Sequence, residues 1–127
     1  YNAIKWDARL IFSVPCCQHE LNNQIETAEL SLLTKYGIVK ERTAALITDA
    51  IRGSLLEACG YKVQLLEFVD LSHTPKNILI RAKKTRSTAT KKAQALTEVN
   101  NAIAAFTLAP TLYQLLEQDK LINSNKI

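Results

Sequence analysis

YKVQLLEFVDLSHTPKNILIRAKK, residues 61–84, holds two apolar runs separated by DLSHTP. In the first run Tyr61, Val63 and Leu65 alternate against Leu66 and Phe68, and in the second Ile78 and Ile80 alternate with Leu79. A period of two is the signature of strands. Six residues are too few for a crossover between parallel strands, which takes about ten or more. The spacing therefore predicts an antiparallel hairpin over 61–69 and 76–84.

Upstream, RLIFSV (9–14) is a short apolar run stopped by Pro15. Its length and composition suit a strand buried on both faces, as in a parallel sheet. Between this strand and the hairpin, residues 24–36 read as a helix ending at Gly37. KERTAALITDAIRGSLLEAC (40–59) is the strongest helical pattern, with Leu46 or Ile47, Ala50 or Ile51, Leu55 and Cys59 on one stripe and Gly60 as its stop. Gly53 costs this helix about 1 kcal/mol relative to alanine, which close packing against a neighbour would justify. Downstream, residues 88–106 carry Leu96, Val99, Ile103 and Phe106 on one stripe. Pro110 breaks that helix, TLYQLLEQ (111–118) adds a short one, and the tail NSNKI is polar and expected to fray.

The order strand, helices, strand, strand, helix is an α/β pattern with too few strands for a full doubly wound sheet. It reads as the second half of such a domain, residues 1–84, followed by a basic linker and helical extension, 85–127. The 127 residues contain no methionine and open on Tyr1, which predicts a fragment of something longer. A three-strand remnant would also expose an edge and an apolar face, so self-association into a homodimer is expected.

Composition narrows the class. With 47% hydrophobic and 22% charged residues the chain is globular. No apolar run approaches the roughly 18 residues of a membrane helix, and no signal peptide is visible. Three cysteines, Cys16, Cys17 and Cys59, form no disulfide framework, so a reducing, cytoplasmic setting is predicted. The glycines, Gly37, Gly53 and Gly60, are too scattered to build a phosphate or cofactor loop.

The net charge of +4 is unevenly placed. Residues 76–92 hold seven bases (Lys76, Arg81, Lys83, Lys84, Arg86, Lys91, Lys92) and no acid, leaving nine bases against twelve acids elsewhere. Such a patch attracts RNA or another polyanion, with Lys83, Lys84 and Arg86 as candidate contacts. It is equally the pattern of a solvated strand end and linker. No aromatic residue interleaves with these bases in sequence, so stacking on unpaired bases is not indicated.

The chemistry concentrates in SVPCCQHELN, residues 13–22. In open α/β sheets ligands bind beyond the carboxyl ends of strands, and Cys16, Cys17, His19, Glu20 and Asn22 follow one directly. Three chemistries fit. A cysteine with His19 makes a nucleophile and base. Cys16, Cys17 and His19 supply zinc ligand types, although adjacent cysteines lack the usual spacing and a fourth ligand is missing. The motif also suits an acceptor pocket in which His19 or Glu20 takes a proton. Against all three stands simple burial of the thiols as small hydrophobes. His73 fits a turn at Thr74-Pro75, and Trp6 is either a surface anchor or a core residue.

AIKWDARLIFSVPCCQHELN and GIVKERTAALITDAIRGSLLEACGYKVQLLEFVDLSHTPKNILIRAKK, over residues 1–84, resemble the C-terminal half of a family of S-adenosylmethionine-dependent methyltransferases. That family has a Rossmann-like class I domain and carries a Val-Pro-Cys-Cys-x-His motif after a late strand. The resemblance implies a final hairpin whose last strand inserts back into the sheet. It implies that Pro15, Cys16, Cys17 and His19 line the cleft near the transferred methyl group. Glu20 and Asn22, beside them, are carried as candidate catalytic and acceptor-binding residues. The cofactor's glycine-rich loop and ribose-binding acid lie in the family's other half, so no residue here is assigned to S-adenosylmethionine and the fragment alone is expected to be inactive. The missing half is then the chain's first partner, and RNA is an acceptor class that the basic patch suits. The alternative is a non-catalytic binding module that uses residues 76–92.

Overall fold

The computed structural model describes residues 1–15, 19–67 and 78–123. Its order is α1 (Asn2–Lys5), β1 (Leu10–Ser13), α2 (Leu32–Lys35), α3 (Gly37–Ala58), β2 (Tyr61–Glu67), β3 (Ile78–Lys84), α4 (Ala89–Phe106) and α5 (Thr111–Gln118). The three strands form one α/β sheet in the order β1-β3-β2, every pairing antiparallel. β3 therefore sits between the other two, in register Ser13 to Ile80 to Leu65 and Leu10 to Lys83 to Lys62. Because β1 and β2 both oppose β3, they run in the same direction and their carboxyl ends share one end of the sheet.

The alternation read from sequence gives the faces. Val63, Ile80 and Ala82 turn inward and pack with Leu56, Tyr61 and Ile11. α3 covers this face with its row Asp49, Gly53 and Leu56, spaced four and three residues apart. Gly53 lies flat on the sheet, and a Cβ placed there would sit 3.5 Å from Val63 Cγ1 and 3.6 Å from Leu65 Cδ2. The second buried row of α3, Ala44, Thr48, Ile51 and Leu55, faces away from the sheet. Thr48 is tolerated there because its hydroxyl donates to the Ala44 carbonyl at 2.7 Å.

That second row makes the main core with Leu21, Ile25, Val99, Leu108, Leu116 and Ile122. The core thus draws residues from both sides of position 85. Thr88 caps α4 by accepting from the Lys91 amide at 3.3 Å, and Gly60, at φ +93°, ends α3 in the left-handed region.

Three expectations need correction. RLIFSV is not enclosed: Leu10, Phe12 and Val14 are about half exposed, because among the described residues β1 is an edge strand with an antiparallel neighbour on one side only. The helix read over 24–36 shrinks to Leu32–Lys35. Residues 20–25 instead form a turn anchored by fully buried Leu21 and Ile25, and the Glu26 amide bonds to the Phe106 carbonyl. Gly37 starts α3 rather than ending its predecessor, since Tyr36 is extended at φ −104° and ψ 129°. On the α3 stripe, Ile51 and Leu55 are buried while Leu46 and Ala50 face solvent. The hairpin connection with His73, the cysteine pair Cys16 and Cys17, and most of the polar tail lie outside the described residues.

Candidate functional site

At the shared carboxyl end of β1 and β2 the sheet stops short of the amino-terminal half of α3. The gap is a cleft of about 440 Å³. One wall is Ala45, Leu46 and Asp49 of α3, the other Leu65 and Leu66 of β2 with Ile78 at the start of β3. Glu41, Arg42, Glu67 and His19 stand around it. The floor is apolar and the rim charged, the usual build of a small-molecule site.

His19 stands at this cleft, six residues after Ser13 at the end of β1. The His19 imidazole is exposed, and its carbonyl accepts from the Asn22 amide at 3.1 Å, closing the turn that follows. Pro15 is half-buried just before the undescribed Cys16 and Cys17, so neither the nucleophile nor the zinc reading of those thiols has a geometry to rest on.

Glu20 does something other than line the cleft. Its carboxylate accepts from the Thr111 amide at 2.6 Å. Thr111 opens α5, and the residue before it is Pro110, which has no oxygen on its side chain to cap with. A carboxylate brought from 91 residues away supplies the acceptor, and its charge suits the positive end of the helix. Gln24 repeats the device, its Oε1 accepting from the Ala109 amide at 2.8 Å. Asn22 is half-buried, and its Oδ1 has no hydrogen-bond donor among the described residues.

Sequence reading missed Asp49. It is 1% exposed, lines the cleft where the sheet-facing row of α3 runs out, and bonds Arg52 Nη1 at 3.2 Å through Oδ1. The signal was available: in ALITDAIRG a lone acid stands among apolar residues, three before an arginine. The burial of a carboxylate at this point needs such a partner.

The basic candidates lie at the opposite end of the sheet. Lys83 and Lys84 close β3, and Arg86 follows. β3 runs seven residues from Ile78 at the cleft to Lys84, about 20 Å end to end at the rise of an extended chain. Lys83 and Arg86 are exposed. Lys84 is engaged, paired with Asp7 and with its ammonium 5.9 Å from the centre of the Tyr61 ring.

No protein-family model, no curated protein and no solved structure matches the chain. Among the described residues no helix is long and apolar enough to cross a membrane.

Proposed function

We propose that the chain is the C-terminal part of an S-adenosylmethionine-dependent methyltransferase domain and that the methyl acceptor enters the His19 cleft. The observation that carries this reading is the position of β3, inserted antiparallel between β1 and β2. An inserted final strand is what the resemblance through Val14-Pro15-Cys16-Cys17 and His19 implies, and hairpin pairing alone would have left β3 at an edge.

The described residues do not make a cradle for the cofactor. Gly37 opens α3 into empty space, Gly53 lies under β2, and Gly60 abuts the Lys92 side chain. On this reading the cofactor's main contacts belong to a preceding half of the domain. What these residues offer is acceptor binding: Leu46 and Leu65 present apolar surface to the acceptor, and His19 orients it or takes its proton.

The coding DNA upstream of Tyr1 tests the proposal. An apolar strand, a glycine-rich turn and a later acid are expected; a start codon directly before Tyr1 would overturn it. In the complete enzyme His19→Ala should cut turnover by about 100-fold or more, the scale of a lost general base. Unchanged turnover would remove His19 from the mechanism.

RNA is the acceptor class that Lys83, Lys84 and Arg86 favour. An RNA touching both sites has to reach across the 20 Å or so of β3. Neutralising Lys83 or Arg86 should each lower the salt slope of binding by about one, and Lys84 by less because Asp7 already holds it. Binding that ignores salt would point to a protein or small-molecule acceptor.

A further inference from the structure

α3 covers one face of the sheet; among the described residues no helix packs on the other. Cross-strand register gives the composition of that outer face. At the cleft end Leu66 pairs with Leu79, in the middle Phe12 and Gln64 flank Arg81, and at the far end Leu10 and Lys62 flank Lys83. Phe12 is 59% exposed, Leu10 51% and Leu66 40%. The face grades from apolar to basic along its length, and these positions include no acid.

We propose that this face docks an amphipathic helix of a protein partner, apolar along one stripe and acidic at the end that meets Lys62, Arg81 and Lys83. Contiguous exposed leucine and phenylalanine side chains mark an interaction surface, and helix on sheet is how such a face is normally buried. The length suits: the 20 Å or so of β3 matches a helix of about 13 residues. Charge selects the occupant. A second copy of this face brings no acid to meet Lys62, Arg81 and Lys83. Unpaired RNA bases need stacking platforms, and among the described residues Phe12 is the one aromatic side chain at these positions. An acidic helix end satisfies both halves of the gradient. The proposal stands whether or not the His19 cleft transfers methyl groups.

The test uses the full chain and two fluorescent 18-residue peptides with the same leucine stripe, one with a Glu-rich end and one with a Lys-rich end. At low salt the Glu peptide should bind about tenfold tighter or more, and bound-state amide shifts should map to Leu10, Phe12 and Arg81. The double variant Arg81→Glu, Lys83→Glu should reverse the preference, its retained denaturation midpoint showing that the fold is intact. Phe12→Asp should weaken both peptides. The proposal is overturned by equal affinities, by no binding, by a single-stranded oligonucleotide that outcompetes the Glu peptide at the same residues, or by sedimentation showing a dimer formed through this face.

Discussion

Two glycines of similar appearance in sequence answer differently to a methyl group. At Gly53 the added Cβ meets only ordinary contacts at 3.5 and 3.6 Å, and the helix gains propensity. Gly53→Ala is expected to raise stability by up to about 1 kcal/mol in chemical denaturation. Gly60 holds φ +93° and faces Lys92 Cε at 3.2 Å, so Gly60→Ala is expected to cost about 1 kcal/mol or more. Cys59 gives a pH signature. Burial pushes its thiol up from 9.0 to about 11, and the nearby Lys92 only partly offsets this. Tyr61 shifts in the same direction, through burial and then through Cys59. In the unfolded chain the thiol ionises first, so the stability held below pH 9 is lost as pH rises from 9 toward 11. Cys59→Ala should flatten that alkaline decline in a pH series of melting curves. The same burial should make Cys59 slow to alkylate at neutral pH while the chain is folded.

At the level of elements, the turn after His19 and the loop between α4 and α5 act as one piece. Glu20 and Gln24 accept from Thr111 and Ala109, the Glu26 amide donates to the Phe106 carbonyl, and Leu21 and Ile25 plug the core below. Glu20→Ala removes the side-chain acceptor of α5's first amide, and a loss of about 1–2 kcal/mol is expected. Glu20→Gln keeps an acceptor oxygen and should recover about half of it. Equal loss in both variants would show that the carboxylate's charge, not its hydrogen bond, is what α5 needs. This is also why position 20 could not be assigned from sequence: its partner is 91 residues away, and no local pattern announces a capping contact of that reach.

Over the whole molecule, the carboxyl-terminal helices are structural members of the core. Leu108, Leu116 and Ile122 bury against Leu21, Ile25 and Leu55, and Asp119 ties back to α1 through Tyr1 and through Lys5 at 3.0 Å. Removing residues 107–127 strips three buried apolar side chains from one cluster. At about 2–4 kcal/mol for each truncated core residue, that exceeds half the stability of an ordinary domain. The truncated chain is expected to lose cooperative unfolding by calorimetry and to bind a hydrophobic dye. A sharp transition in the shortened chain would mean that residues 1–106 fold alone.

The sequence by itself determined the three strands, the faces of β2 and β3 and the two long helices, because periods of 2 and 3.6 are local and record which side is buried. It also put His19 beyond the end of a strand, since the chain direction of β1 settles that. Tertiary structure alone decided the rest. RLIFSV reads as a central strand, yet enclosure depends on neighbours, and among the described residues β1 has one on a single side. The stretch 24–36 has helical composition, yet the core contacts of Leu21 and Ile25 and the bond from Glu26 to Phe106 hold its start in turns. Asp49 became part of a cleft, Glu20 became a cap, and Phe12 came beside Arg81 only when distant segments were brought together. Periodicity reports how much of a side chain wants to be buried; only packing decides what buries it.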